Sequence, residues 1–139
     1  MADIIAESSD LIATEIAGDI IPRVVDELPV LSLAACFAKG TTTIANAEEL
    51  RVKESDRISA TVQSLQKLGG KIEETHDGMK ISGNGHLKGA TVESFGDHRI
   101  AMTNAIAGLI AQGETLIDEA ESASVSYPDF WDTIEDIRS

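Results

Sequence analysis

The sequence predicts an α+β fold of repeated βαβαββ-type units, in which helices pack on mixed sheets. The first observation is an internal repeat: residues 34–48 align with residues 107–121 without a gap and share seven of fifteen positions. A chance match between two helices rich in small residues is the alternative interpretation. The second observation is the order of elements, because each copy contains a helix, a glycine, a short strand and another helix. No linker-like stretch interrupts the 139 residues, so residues 1–139 are expected to form a single domain.

The elements of the first copy follow from local patterns. Residues 4–21 read as one or two strands. An Ala-rich helix is predicted over about 26–39, with Gly40 as its stop, and a Thr-rich strand follows at 41–46. The next helix, about 54–68, has one apolar face and ends at a pair of glycines. The residues of that face are Ile58, Thr61, Val62, Leu65 and Leu68.

A β-hairpin is predicted between the two copies. Its strands are 71–75 and 79–82, and the turn contains Asp77–Gly78, a pair that favours tight turns. A further strand at 90–94 leads into the second copy. That copy comprises a helix at about 98–112, a strand at 114–119 and a helix at about 128–137.

The bulk composition excludes several classes of function. The formal net charge is −13, and a nucleic-acid partner would require a basic face. No apolar run reaches membrane-spanning length, and no signal peptide is recognisable near the start. The single cysteine, Cys36, lies in an apolar helical pattern, which indicates a core residue in a reducing compartment. We therefore expect a cytoplasmic protein that binds neither nucleic acid nor membrane.

Two charged runs, residues 51–58 and 95–102, indicate the function. Each places an arginine beside carboxylates where a loop becomes a helix, although cations are disfavoured at helix N-termini. An anion bound between the two helix ends would explain both, because amide N–H groups and guanidinium groups suit phosphate and carboxylate. In the first run Arg51, Lys53 and Arg57 surround Glu54, which is interpreted as uncompensated positive charge. The sequence thus predicts a site for a small, multiply anionic molecule.

The same residues also have ordinary structural interpretations. Arg57 lies three residues after Glu54, so the two side chains suit an exposed ion pair. Asp26 and Asp97 suit helix N-caps, and His98 alone is typical of a structural histidine. No spacing typical of a metal site, a P-loop or a dinucleotide-binding fingerprint occurs in the sequence.

Three motifs resemble the C-terminal half of the EPSP synthase family, the 3-phosphoshikimate 1-carboxyvinyltransferases. They are Asp26–Pro29, Leu50–Arg57 and Gly96–Met102, and they occur in the family's order. The resemblance extends from about Ile4 to Ile137. It implies part of the C-terminal domain of the enolpyruvyl transferase fold, whose domains consist of βαβαββ units. It also implies that the chain is a piece of a longer enzyme, with the remainder of that enzyme as its partner.

The resemblance implies an enzyme that transfers the enolpyruvyl group of phosphoenolpyruvate to the 5-hydroxyl of shikimate 3-phosphate, without a metal or organic cofactor. Arg57 and Arg99 resemble the clamp on phosphoenolpyruvate. Asp26 resembles the carboxylate that faces the hydroxyl, and Glu54 the group that handles the proton at the methylene carbon. The implied catalytic residues are Asp26 and Glu54, and the implied substrate-binding residues are Lys53, Arg57, His98 and Arg99.

These roles predict a geometry. Arg57 and Arg99 should emerge from neighbouring helix N-termini toward one open cleft, exposed or leaning on carboxylates rather than buried together. One family feature is missing, because Val125 occupies a position where many relatives have lysine. Two alternatives remain open here. One is a fragment like UDP-N-acetylglucosamine enolpyruvyl transferase, and the other is a non-catalytic anion-binding module.

Overall fold

A computed structural model describes residues 2–138, which form a mixed α/β structure with two sheets. The strands are β1 (Glu15–Ile16), β2 (Thr41–Ile44), β3 (Lys71–Thr75), β4 (Gly78–Ser82), β5 (Thr91–Glu93) and β6 (Leu116–Asp118). The α-helices are α1 (Ile21–Val24), α2 (Leu28–Ala35), α3 (Arg57–Lys67), α4 (His98–Ile110) and α5 (Phe130–Arg138). The predicted fold class, helices on mixed sheets, is confirmed.

The larger sheet has the strand order β1-β2-β4-β3. β1 pairs with β2 in parallel, and the β3–β4 hairpin adds antiparallel strands to the other edge of β2. The hairpin turn lies where the Asp-Gly pair predicts it, and a Cβ atom at Gly78 would collide with the carbonyl oxygen of Ile44. The smaller sheet consists of β5 and β6, which are also parallel.

The internal repeat is present in three dimensions. Ile44 pairs with Ile16, and its counterpart Ile117 pairs with Val92 in the same parallel register. Beyond the two strands, Asn46 and Glu119 occupy counterpart positions, and both adopt left-handed backbone conformations, with φ of 59° and 56°. In the same alignment Arg57, the first residue of α3, corresponds to Phe130, the first residue of α5. Both copies therefore follow one backbone pattern from the helix before the strand to the helix after it.

The main core lies where α2, α3 and the larger sheet meet, and α4 packs against both helices. The predicted apolar face of α3 is buried along its whole length. The end of α3 is also as predicted: Gly69 has φ +87°, its N–H donates to the Gln66 carbonyl over 2.9 Å, and the Gly70 N–H donates to the Leu65 carbonyl over 2.8 Å. This is the pattern of a Schellman cap. The buried residues of the face are Ile58, Thr61, Val62, Leu65 and Leu68.

The stretch 4–21 is less regular than predicted. Only Glu15–Ile16 forms a strand, with a single bridge from Ile12 to Lys39, while Ile4 and Ile5 are exposed. The backbone turns helical from Gly18 onward, because the Gly18 N–H donates to the Asn46 side chain over 3.1 Å instead of continuing the ladder.

The predicted helices have shifted bounds, since α3 begins three residues later than predicted and α4 ends two residues earlier. The helix predicted over 26–39 is α2, which ends at Ala35, because Lys39 bonds through both its N–H and its carbonyl to the Leu11–Ala13 segment. The last helix, predicted to begin at 128, begins at Phe130.

Cys36 is buried as predicted, and desolvation raises the pKa of its thiol to about 11. Across residues 2–138, we find no helix with the length and apolar character needed to span a bilayer.

Candidate functional site

The two charged runs meet where α3 and α4 begin. Asp56 caps α3 by accepting the Ser59 N–H over 3.0 Å, and Asp97 caps α4 by accepting the Arg99 N–H over 2.9 Å. Aspartate is favoured at this position because its carboxylate satisfies a free amide and complements the helix dipole. Both helix starts are therefore set locally, and packing of α3 on α4 brings them together.

Arg57 lies at the centre of this arrangement, and its side chain is only 1% exposed. Its Nε donates to Asp97 Oδ2 over 2.8 Å and its Nη2 to Asp97 Oδ1 over 3.3 Å, in the two-pronged geometry that suits a guanidinium and a carboxylate. Its Nη1 donates to Asp26 Oδ1 over 2.9 Å, and its Nη2 also donates to Glu54 Oε2 over 2.6 Å. We call Arg57 with Asp26, Glu54 and Asp97 the Arg57 cluster.

The Arg57 cluster has a buried half and an accessible half. Asp97 is fully buried, whereas the side chains of Asp26 and Glu54 are 48% and 51% exposed. Asp97 also accepts the Ser55 hydroxyl over 2.9 Å, so it ties both charged runs together. A molecule approaching from solvent therefore meets the two outer carboxylates first, with the guanidinium beneath them.

Burial and charge act in opposite directions on the central pair. Burial lowers the pKa of the Arg57 guanidinium, but the hydrogen bonds and charges of its three carboxylate partners outweigh burial and raise that pKa. Burial raises the pKa of Asp97, but Arg57, Ser55 and the Arg99 N–H outweigh it and hold that pKa below its usual value. Both groups are therefore stabilised in their charged forms.

Arg99 lies on the same side of the protein as Arg57. Its Nη1 donates to Glu27 Oε1 over 3.0 Å, and its Nη2 lies 3.8 Å from Asp26 Oδ2. Asp26 thus lies between the two arginines, as the prediction requires, but the predicted common open cleft is not observed, because Arg57 is enclosed and only Arg99 lines a solvent-accessible recess. Arg99 is about one-third exposed, and within residues 2–138 its Nε has no acceptor.

Comparison with known proteins identifies the family. A profile of EPSP synthase (3-phosphoshikimate 1-carboxyvinyltransferase) matches residues 2–134. The chain belongs to the EPSP synthase family. The resemblance carried by the three motifs is thereby confirmed over almost the whole sequence.

Individual relatives agree with this assignment. The chain is 52% identical over 138 residues to the 3-phosphoshikimate 1-carboxyvinyltransferase of Herpetosiphon aurantiacus, covering 99% of this chain and 32% of that protein. It is 55% identical over 135 residues to the enzyme of the same name from Thermoanaerobacter sp. strain X514, covering 97% of this chain and 32% of the relative. An EPSP synthase structure from Acinetobacter baumannii superposes with a TM-score of 0.83 at 38% identity, covering 87% of this chain and 29% of that one. The chain therefore spans about a third of the length of its EPSP synthase relatives.

Several interpretations based on the sequence of this chain need correction. Asp26 does not cap α2, because it lies inside a 3₁₀ turn and directs its carboxylate to Arg57. The interpretation of uncompensated positive charge around Glu54 is also wrong. Arg51 pairs with Asp56 and Glu74, and Lys53 pairs with Glu49. Each of these two cations therefore has its own carboxylate partners, although Lys53 also lies within electrostatic reach of Asp26 and Arg57.

Arg51 has a structural role in this chain. It donates to the backbone carbonyls of Thr75 and His76 over 2.7 and 2.9 Å, in addition to its two carboxylate partners. It therefore fastens the hairpin turn to the start of α3.

Lys53 is not a member of the Arg57 cluster, and its hydrogen bond to Glu49 raises the pKa of its ammonium group. The family lysine position, Val125, is 80% exposed.

The structure also identifies site residues that sequence reasoning missed. Asp97 was interpreted only as a cap, yet it accepts four hydrogen bonds and holds Arg57. Glu27 holds Arg99, and its position beside Asp26 was the available signal. His98 is half-buried and has no hydrogen-bond partner within residues 2–138.

An open cavity of about 270 Å³ adjoins Arg99. Three charged residues form one side of it, and apolar side chains from α2, α4 and the start of α5 form the other. The lining residues are Asp26, Glu27, Val30, Arg99, Met102, Thr103, Ile106, Tyr127 and Phe130. The solvent-accessible part of the site consists of this cavity and the exposed carboxylates of Asp26 and Glu54.

We expect Asp97 to make this segment sensitive to acid. Because folding lowers the pKa of Asp97, its contribution to stability is complete above the ordinary value of 3.8 and is lost as the pH falls through the lower, folded-state pKa. Urea unfolding of the wild type and of Asp97→Asn, from about pH 6 down to about pH 2, measures the difference in unfolding free energy. That difference should shrink in the acidic part of the range, whereas a constant difference would contradict the assignment.

Proposed function

We propose that this chain forms part of the active site of an EPSP synthase. That enzyme transfers the enolpyruvyl group of phosphoenolpyruvate to the 5-hydroxyl of shikimate 3-phosphate and releases phosphate. The family match and the relatives' printed name, 3-phosphoshikimate 1-carboxyvinyltransferase, support the reaction. The observation that carries the proposal is the convergence of Arg57 and Arg99 on Asp26, with Glu54 alongside.

The proposed chemistry is an addition followed by an elimination. The hydroxyl adds to the substituted enol carbon while a proton adds to the methylene carbon, and loss of a proton and of phosphate then regenerates the vinyl group. Such a path needs a base near the hydroxyl, an acid near the methylene carbon and cations near the leaving phosphate. Asp26, Glu54 and the two arginines are the corresponding groups of this chain.

Accessibility supports this division of roles. Asp26 and Glu54 are half exposed and rest on a rigidly held guanidinium, so a substrate can reach them without opening the core. The Arg57–Asp97 pair beneath them fixes the guanidinium in place, which reduces the reorganisation required during catalysis. Lys53 and His98 are proposed substrate-binding residues at the edge of this surface.

The charge balance indicates that the site needs groups from outside the chain. Arg57 and Arg99 are surrounded by Asp26, Glu27, Glu54 and Asp97, so the carboxylates outnumber the cations. Two anionic substrates would be repelled unless carboxylates move aside or further cations approach. Because the chain spans about a third of its relatives, we propose that the remaining part of the enzyme supplies those cations.

We expect the isolated chain to lack transferase activity. Catalysis requires both substrates to be oriented and shielded from water, and the described surface is open on one side. Phosphate release from the two substrates should be undetectable for the chain alone. It should appear when the chain is coexpressed with the part of the Herpetosiphon aurantiacus relative that it does not match. Turnover by the purified chain alone, free of host enzyme, would refute this expectation.

A non-catalytic anion-binding module is the alternative. Titration of the isolated chain with phosphoenolpyruvate and with shikimate 3-phosphate separates the two functions. A binding module should take up either anion tightly without a partner, whereas the proposed active-site part should bind both weakly. The EPSP synthase family match disfavours the UDP-N-acetylglucosamine transferase alternative.

We further propose that the enzyme works in the cytoplasm and needs no metal or organic cofactor. The reaction consists of proton transfers and a polar addition, which carboxylates and arginines can serve. The buried free thiol of Cys36 suits a reducing compartment. The net charge of −13 disfavours contact with nucleic acid.

A further inference from the structure

The turn between β5 and α4 delivers two residues of the site. It places Asp97, which is fully buried, beneath Arg57, and Arg99 follows two residues later. Two successive residues of this turn, Phe95 and Gly96, have left-handed backbones with φ of 57° and 65°. A bulky residue seldom adopts this conformation, which persists only where the surrounding structure holds it in place. The contacts that hold the turn therefore determine where Asp97 and Arg99 lie.

Ser94, the residue before the turn, holds it with all of its polar groups. Its hydroxyl accepts the Gly96 N–H over 3.2 Å, and its carbonyl accepts the Asp97 N–H over 3.0 Å. The same hydroxyl donates to the Glu119 carbonyl over 3.0 Å, and the Ser94 N–H donates to the Asp118 carbonyl over 3.2 Å. Ser94 is fully buried, so water cannot readily replace a hydrogen bond that is lost there.

Ser122 extends these contacts to the segment after β6. Its Oγ lies 3.1 Å from Ser94 Oγ and 2.8 Å from the Glu119 carbonyl oxygen, and the residue is only 9% exposed. The 3₁₀ turn Ala120–Val125 contains Ser122 and leads to Tyr127, which lines the open cavity of the site. The serine pair, Ser94 and Ser122, therefore joins the turn before α4 to the segment that leads into the cavity wall.

The repeat does not by itself require the serine pair. In the matching register of the two parallel strand pairs Gly18 is the counterpart of Ser94, and the alignment of the repeat places Glu49 opposite Ser122. The turn after Gly18 leads into α1, which contains no member of the Arg57 cluster, whereas the turn after Ser94 leads directly to Asp97. The serine pair thus occurs in the copy whose turn presents site residues.

We propose that Ser94 and Ser122 are positioning residues of the active site. Their hydroxyls fix the turn that sets Asp97 against Arg57 and directs Arg99 toward an anionic substrate. Because a displacement of about 1 Å can cost about a hundredfold in rate, loss of either hydroxyl should impair catalysis while the fold persists. The inference rests on the proposed function, but the contact between Arg57 and Asp97 can be measured without turnover.

Hydrogen exchange of the Arg57 Nε–H tests the positioning in the chain alone. Arg57 is only 1% exposed and donates this proton to Asp97, so its exchange reports how firmly the turn holds Asp97. We expect Ser94→Ala and Ser122→Ala to speed that exchange by roughly tenfold or more, because the turn loses a buried hydrogen bond. The Gly70 N–H, which closes the other end of α3, is the internal reference and should be unchanged.

Two further variants serve as controls. Ser122→Thr keeps a hydroxyl and should retain the wild-type exchange rate at Arg57. Ser59→Ala removes a surface hydroxyl that is bonded to Gln63 in α3, and it should have no effect. Circular dichroism verifies the fold of every variant. If Ser94→Ala does not fold, the comparison of Ser122→Ala with Ser122→Thr decides the proposal.

The same variants are assayed in the enzyme reconstituted by coexpression with the unmatched part of the Herpetosiphon aurantiacus relative. The two alanine variants of the serine pair should lower kcat by roughly tenfold or more with a smaller change in KM, because the defect lies in the orientation of the site. Ser122→Thr and Ser59→Ala should match the wild type.

Three results would overturn the proposal. They are alanine variants of the serine pair that behave like Ser59→Ala, exchange at Gly70 that accelerates as much as at Arg57, and a Ser122→Thr variant that behaves like Ser122→Ala. An inactive reconstituted wild type would instead refute the proposed function, and the exchange rates in the chain alone would still decide whether the serines position Asp97.

Discussion

Replacing Arg57 by alanine should destabilise the isolated chain by about 3–5 kcal/mol, the usual cost of removing one partner of a buried ion pair. The loss is large because Asp97 is fully buried and would keep its charge without the guanidinium that compensates it. The two outer carboxylates contribute less, because Asp26 and Glu54 are half exposed and water can replace Arg57 around them. Urea or thermal unfolding followed by circular dichroism measures the change.

Arg99→Ala is the matched control. Arg99 is about one-third exposed and pairs with half-exposed carboxylates, so its removal should cost at most about 1 kcal/mol. A second comparison isolates the buried pair: the double variant Arg57→Met with Asp97→Leu should recover much of the stability, because it leaves no unpaired buried charge. Equal losses for Arg57→Ala and Arg99→Ala would show that burial of the Arg57–Asp97 pair does not govern stability.

Arg99→Ala should instead reduce activity strongly in the enzyme reconstituted by coexpression. We expect a loss of about 2–4 kcal/mol in transition-state stabilisation, the magnitude for removing a charge-assisted contact from a closed site. Arg57→Lys should lower kcat/KM as well, because a lysine ammonium cannot reproduce the forked contacts that orient the guanidinium. The measurement is kcat/KM for phosphoenolpyruvate at saturating shikimate 3-phosphate, followed by phosphate release.

Lys39→Ala is the control for loss of a positive charge. Lys39 forms an exposed ion pair with Asp10 and makes no hydrogen bond to a residue of the Arg57 cluster. Removal of the Lys39 ammonium group should therefore leave kcat/KM unchanged. If Arg99→Ala behaved like Lys39→Ala, Arg99 would have no part in substrate binding. A lower kcat with unchanged KM would show that Arg99 acts mainly on the transition state. A higher KM with unchanged kcat would show that Arg99 binds the substrate and the transition state equally well.

Much of the secondary structure could be predicted because its causes are local. Asp56 and Asp97 cap their helices through amides two or three residues away, and Gly69 adopts the left-handed conformation that ends α3. The Asp-Gly pair of the hairpin turn acts over a few residues as well. The turn that begins at Gly18 could not be predicted, because it involves a hydrogen bond to the distant side chain of Asn46.

In the candidate site, too, the residues that follow from local sequence could be predicted, whereas the contacts between distant segments could not. The resemblance to the family suggested Asp26, Glu54, Arg57 and Arg99 as candidate site residues, and the two arginines near helix N-termini by themselves suggested a bound anion. The partners of those residues could not be predicted. Arg57 was expected at an open cleft, yet its guanidinium is enclosed by carboxylates from three separate segments.

By itself the sequence determined the repeat, the class of fold, the position where α4 begins and the residues gathered near the starts of α3 and α4. Only the tertiary structure decided that Asp97 is the buried partner of Arg57 rather than merely a cap, that Asp26 joins two arginines, and that Arg51 fastens the hairpin. The physical reason is the range of each interaction. Caps and turns join residues a few positions apart, whereas Arg57 and Asp97 meet only because α3 and α4 pack together and exclude water from the contact.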